Sequence, residues 1–234
     1  MDLNSKKLNN ILTLFQNGER KTAYKKMKDY INLYPTNIIA IYNYAFMSEK
    51  LNNLDSAINN YKRIIKINNQ HWQSRFNLYV IFINQERYKE AEKLIDEVLI
   101  IKNNYQPALR DKALILYYTG KQDEALIYIN KAIRLNKNDY IALNILGLIY
   151  SALKLDIKAE KIFNISIKLN PQYSPSYNNL GKCYQNLNKI DLALLNFKKS
   201  YNLNKNFSEA INNLANIYVA NSQYKKGINF YKKA

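Results

Sequence analysis

YIALNILGLIYSALKLDIKAEKIFNISIKLNPQY (140–173) and SPSYNNLGKCYQNLNKIDLALLNFKKSYNLNKNF (174–207) are consecutive stretches of equal length that fall into register without a gap. Leu146-Gly147 lies over Leu180-Gly181, Tyr150 over Tyr184, Ala159 over Ala193, Phe163 over Phe197 and Ser166 over Ser200. Apolar residues recur at three- and four-residue steps on either side of a polar turn, which predicts two helices per 34-residue line. A fixed period of this size marks a stacked array in which each repeat is buried only by its neighbours.

The frame extends to both ends with no insertion, giving repeats 4–37, 38–71, 72–105, 106–139, 140–173, 174–207 and a partial 208–234. The twentieth slot reads Ala23, Ala57, Ala91, Ala125, Ala159, Ala193 and Gly227, so no side chain there exceeds a methyl. Such a slot is where the second helix of a pair must approach the first closely. The eighth slot (Ile11, Ala45, Tyr79, Ala113, Gly147, Gly181, Ala215) is small in five repeats of seven. The twenty-fourth carries a large plug: Met27, Tyr61, Ile95, Ile129, Phe163, Phe197 and Tyr231. Pro35 and Pro171 occupy the thirty-second slot, where proline can end one helix and begin the next turn. Asn69, Asn103, Lys137 and Lys205 take that slot in other repeats.

These slots resemble those of the tetratricopeptide repeat (TPR) family, and the resemblance covers residues 4–234. Lys7, Asn10 and Lys112 depart from it at single apolar slots. The resemblance implies an all-α fold: a right-handed α-α superhelix, or solenoid, of about seven helix-turn-helix units. No composition shift or linker interrupts residues 1–234, so one domain is expected. Lys6, Lys7 and Asn10 make the first helix polar, as an end cap should be. At the other end a predicted helix runs into Ala234, which predicts either a longer parent chain or end-to-end docking of the last pair.

The formal charge is +17, and much of it is expected on outer positions of the second helices: Lys25, Lys26, Lys28, Lys62, Arg63, Lys66, Lys131, Arg134, Lys168, Lys198, Lys199, Lys232 and Lys233. Several of these occupy last turns, where cations complement the helix dipole, while Asp55, Glu90, Asp123, Asp156 and Asp191 sit at helix starts. Most charge therefore belongs to a solvated face. With one cysteine, Cys183, and one histidine, His71, the chain has no disulfide framework, two-histidine metal motif, nucleophile elbow or phosphate loop. Neither catalysis nor a cofactor is expected. The longest apolar run is too short to span a bilayer, and the amino-terminal residues lack a secretory h-region, so a cytoplasmic protein without membrane insertion is expected.

In the TPR family the first helices line the concave face, through slots two, five, six, nine, twelve and thirteen. Slot six reads Asn9, Asn43, Asn77, Asp111, Ile145, Asn179 and Asn213. An asparagine can bond both C=O and N–H of an extended peptide, and the row resembles the asparagine ladder of O-GlcNAc transferase repeats. The row would equally follow from the abundance of asparagine in this chain. Around it, Tyr42, Phe46, Phe76 and Tyr117 offer apolar anchors, and Asn144, Asn178, Lys182 and Asn212 a hydrogen-bonding end. Groove charges nearly balance: Lys50, Arg110 and Lys182 against Glu49, Asp111 and Glu209. The two-carboxylate clamp of chaperone-adaptor repeats is absent, because Arg110 is followed by Leu114 where that clamp needs asparagine.

The expected function is a protein-interaction scaffold holding an extended or helical segment of a protein or peptide partner in its groove. Two alternatives accompany it. A basic solenoid can bind nucleic acid through its outer face. A repeat array can also be the substrate-recruiting region of a larger enzyme, such as an O-GlcNAc-transferase-like glycosyltransferase.

Overall fold

The structure, a computed structural model, describes residues 3–233 as fourteen α-helices, with no strand among the described residues. Two compact bodies emerge, Met1–Asn103 and Asn104–Ala234, where the sequence predicts one continuous array. In the N-terminal body, first helices α1 (Leu3–Gln16), α3 (Ile38–Lys50) and α5 (Trp72–Asn84) alternate with second helices α2 (Arg20–Leu33), α4 (Leu54–Ile67) and α6 (Tyr88–Ile101). The C-terminal body has first helices α7 (Gln106–Tyr118), α9 (Tyr140–Ala152), α11 (Ser174–Asn186) and α13 (Ser208–Ala220). Its second helices are α8 (Gln122–Leu135), α10 (Asp156–Leu169), α12 (Ile190–Leu203) and α14 (Tyr224–Tyr231). Within each body the two helices of a repeat pack on each other, each second helix packs on the first helix of the repeat that follows it in that body, and α9 also touches α7 and α11. Lys232 and Lys233 form a turn after α14, and Ala234 lies outside the described residues.

The turn inside each repeat has one geometry. Slot fifteen adopts a positive φ in all seven repeats: Gly18 (93°), Asn52 (59°), Glu86 (59°), Gly120 (78°), Lys154 (62°), Asn188 (56°) and Ser222 (58°). The next N–H then reaches the carbonyl five residues back, as from Asn53 to Ser48 (2.8 Å) and from Lys189 to Tyr184 (2.8 Å). This is a Schellman ending, which satisfies carbonyls that the first helix leaves open. Only two of the seven are glycine, so the other five hold a conformation costing about 1–2 kcal/mol for an L-residue.

The turn between repeats explains how the array dispenses with proline. Asn68, Asn136, Asn170 and Asn204, one slot before the proline position, accept the N–H two residues on at 2.9–3.1 Å. That side-chain turn fixes the bend whether the next residue is asparagine, lysine or proline.

The core follows the slots. Every alanine of slot twenty is fully buried, Gly227 is buried with them, and the plugs from Met27 to Phe197 are fully buried. Tyr231 is the exception at 47% exposure. Gly147 shows how tightly the helices meet, because a Cβ there would lie 2.5 Å from Phe163 Cε1. Gly181 repeats the relation with Phe197 at 2.6 Å. The departures from the family pattern are accommodated: Lys112 is 7% exposed, while Asn10 is exposed on α1. Cys183 is buried in α11, and its thiol donates to the Asp156 carbonyl at 3.2 Å.

Gly147→Ala should lower stability by about 1 kcal/mol, because overpacking against Phe163 (~1–3 kcal/mol) exceeds the helix-propensity gain of alanine (~1 kcal/mol). In urea melts, Gly147→Ala combined with Phe163→Leu should cost less than the sum of the single changes, since the methyl then meets no ring. Additive losses would deny the contact. Burial, with the nearby Asp156 and Glu160 charges, pushes the Cys183 thiol up to about 12. At pH 8 the native protein should therefore react with a thiol reagent far more slowly than the urea-unfolded chain.

Candidate partner-binding site on the first helices

In the N-terminal body, one slot-six asparagine, Asn77, turns inward. Asn77 donates Nδ2 to the hydroxyls of Tyr42 (3.0 Å) and Tyr61 (2.9 Å). Burial, then the Glu49 charge, raises the Tyr61 phenol well above its ordinary value, so it stays neutral. Tyr42 meets the Tyr61 ring edge-on at 5.7 Å and lies 5.5 Å from His71, which caps α5 through Ser74. Asn43 bonds back to Ile39 of its own helix (2.8 Å). Phe46 is exposed, with Phe15 at its edge (6.4 Å) and Lys50 over its face (5.1 Å). Phe76 is half-buried beside Tyr79 (5.6 Å).

In the C-terminal body the same relation recurs between successive repeats. Asn179 donates Nδ2 to Asn144 Oδ1 (3.1 Å), and Asn213 donates to Asn178 Oδ1 (2.8 Å). Asn144 also accepts from Ser176 Oγ (3.2 Å). Ser166 Oγ continues the network, lying 2.7 Å from both Ser176 Oγ and the Tyr140 carbonyl. Asn144 and Asn178 are 4% and 2% exposed, which corrects their assignment to the groove surface. They are buried struts between first helices, and slot six supplies the donor that satisfies them. Asn77, Asn179 and Asn213 thus spend a donor inside the protein, while the Oδ1 of each has no partner among the described residues. The sequence signal for this was an acceptor in slot five paired with asparagine in slot six of the next repeat.

Arg110 contacts Asp111 (2.9 Å) and Asp139 (3.5 Å). Burial opposes its charge, but the two carboxylates outweigh that and hold the guanidinium above its usual value. Asn212 is exposed on α13. Tyr117, Asn179 and Lys182 come together with Leu148, Ser151 and Asn186 around a cavity of about 280 Å³ on α7, α9 and α11. A second hollow, of about 430 Å³, lies along α6 alone, among Lys89, Glu92, Lys93, Asp96, Glu97 and Ile100. Among the described residues no cluster of histidine, cysteine and carboxylates could hold a metal ion. No described helix is long and apolar enough to cross a membrane.

Paired helices joined by one recurrent turn, with small residues at the crossing and polar first-helix faces, define a helical-repeat protein. Tetratricopeptide repeat profiles match residues 39–71, 111–139 and 208–234, and a second profile of the same description matches 162–194. Together they span just over half of the sequence, and the chain belongs to the tetratricopeptide repeat family. No curated protein matches it. Among solved structures, a tetratricopeptide repeat protein from Parabacteroides merdae is similar, with 15% identity over 98% of this chain and 91% of that one, and a TM-score of 0.82. YrrB, a TPR protein with an unusual peptide-binding site, shares 19% identity over 79% of this chain and 95% of its own (TM-score 0.63). The APC/C Cut9–Hcn1 hetero-tetramer matches at 15% over 97% of this chain and 45% of that one (TM-score 0.77). These likenesses concern the fold.

Asn178→Ala should destabilise the protein by about 1–3 kcal/mol, because Asn213 loses its acceptor at a buried position. Asn43→Ala, whose bond is local and solvent-facing, should stay within about 0.5 kcal/mol. Urea midpoints of the two variants test whether asparagine in neighbouring slots has these opposite roles.

Proposed function

We propose that this protein is a non-catalytic scaffold that binds a segment of a protein partner, extended or helical, along the faces of its first helices. We further propose that its seven repeats belong to one array. The observation that carries this reading is the cavity on α7, α9 and α11. It collects side chains from three successive repeats on the face that the sequence register assigns to the groove. The α6 hollow is bounded by one helix only, and its lysines and carboxylates offset one another. A site built across repeats reads several positions of a ligand, whereas one helix reads few. That YrrB has a peptide-binding site, and that Cut9 assembles with Hcn1, accords with a protein ligand.

A photo-crosslinking amino acid at Ala152, on the cavity rim, should capture protein from cell extract, whereas one at Leu195, exposed on α12, should not. Ala152→Trp fills the rim without changing charge and should abolish capture by a crosslinker placed at exposed Asn212. Capture at Leu195 instead would move the binding surface to the outer face, and capture of nucleic acid at Ala152 would overturn the protein ligand.

A further inference from the structure

We infer that the cavity on α7, α9 and α11 seats a carboxylate of the bound segment, with Lys182 as its counter-ion. This deepens the groove reading and rests on it.

Charge and unused donors both point to it. First helices of the C-terminal body carry three basic residues: Arg110, Lys112 and Lys182. Arg110 already contacts two carboxylates, and Lys112 is buried. Lys182 is exposed, lines the cavity, and has no carboxylate within ion-pair distance among the described residues. No acid lines this cavity. The nearest by contact is Asp156, whose Oδ1 accepts from Ser151 and Asn186 (2.8 and 3.1 Å).

The remaining lining supplies donors. Asn179 uses one amide proton on Asn144 and keeps the other, and the Gln185 amide has no partner among the described residues. Burial, then neighbouring Tyr118, raises the Tyr117 phenol above its ordinary value, so its proton is retained. An ammonium, two amides and a phenol around one cavity complement a planar anion with two acceptor oxygens. A cationic side chain placed there would meet Lys182, and an apolar one would strip water from these donors without replacing it. The carboxylate comes from an Asp or Glu side chain or from a chain terminus.

The test uses the full chain and pooled peptides of about nine residues, ~30 Å when extended, random except at a fixed centre. Three pools carry amidated C-termini with Asp, Asn or Lys at the centre, and a fourth has central Asn with a free carboxylate. The Asp pool should bind about tenfold better than the amidated Asn pool. Lys182→Ala should erase that preference, and Lys182→Glu should transfer it to the Lys pool, with unchanged circular dichroism. Superiority of the free-carboxylate pool would place the terminus in the cavity, and equality of the two carboxylate pools would admit either source. Equal binding of the Asp, amidated Asn and free-carboxylate Asn pools, still blocked by Ala152→Trp, overturns the carboxylate seat and leaves the groove reading standing. Absence of binding, or binding insensitive to Ala152→Trp, overturns both.

Discussion

Within each repeat the second helix comes close enough to the first that only a hydrogen or a methyl fits at the crossing. At Gly147 and Gly181 the neighbour is a fully buried phenylalanine ring, and the helix itself has been reduced to backbone to receive it. This contact fixes the angle and spacing of each hairpin. Spacing in turn sets which first-helix side chains lie beside which in successive repeats. The slot-five to slot-six bonds, Tyr42 to Asn77, Asn144 to Asn179 and Asn178 to Asn213, recur because that spacing recurs. The cavity that supports the proposed function is a consequence of the same packing, one level further out.

Period, helix pairing and the small and large slots were legible because they are chemical repetitions. A side chain no larger than a methyl, kept at one slot through seven repeats, is what a close helix crossing demands. The intra-repeat turn was less visible. Its left-handed residue is glycine twice and otherwise Asn, Glu, Lys, Asn or Ser, so no residue type announces it. Tertiary packing of the two helices, together with the Schellman bond, holds Glu86 and Lys154 where intrinsic preference would not. The proline slot is degenerate, and an asparagine one position earlier makes the bend with its side chain.

The groove was only half legible, and asparagine is the reason. Its amide serves equally well as a buried strut, a turn former and a ligand-reading group, so composition cannot separate the three. Burial separates them: Asn144 and Asn178 are enclosed, Asn68, Asn136, Asn170 and Asn204 shape turns, and Asn212 faces solvent. Asn77, Asn179 and Asn213 stand between these classes, with amide hydrogens committed inward and the acceptor oxygen open. Such a residue is oriented by the fold before a ligand arrives. A partner that bonds the open oxygen then meets a fixed group, and less rotamer freedom is lost on binding.

Net charge is a poor guide to the site for a related reason. Several of the basic side chains are engaged in packing. Arg87 stacks 3.7 Å from the Phe82 centroid and Lys205 lies 4.0 Å from that of Tyr201, while other lysines flank tyrosines at longer range. Long cationic stems laid over rings cover apolar surface that the repeats do not bury, and their heads remain in water. These cations therefore solvate a thin helical layer and contribute little to choosing a ligand. A single lysine in a cavity without acids can discriminate more than a larger number spread over an outer face, because its field acts where water is partly displaced. In the proposed reading, the position of Lys182, and not the total of +17, gives electrostatics its role in recognition.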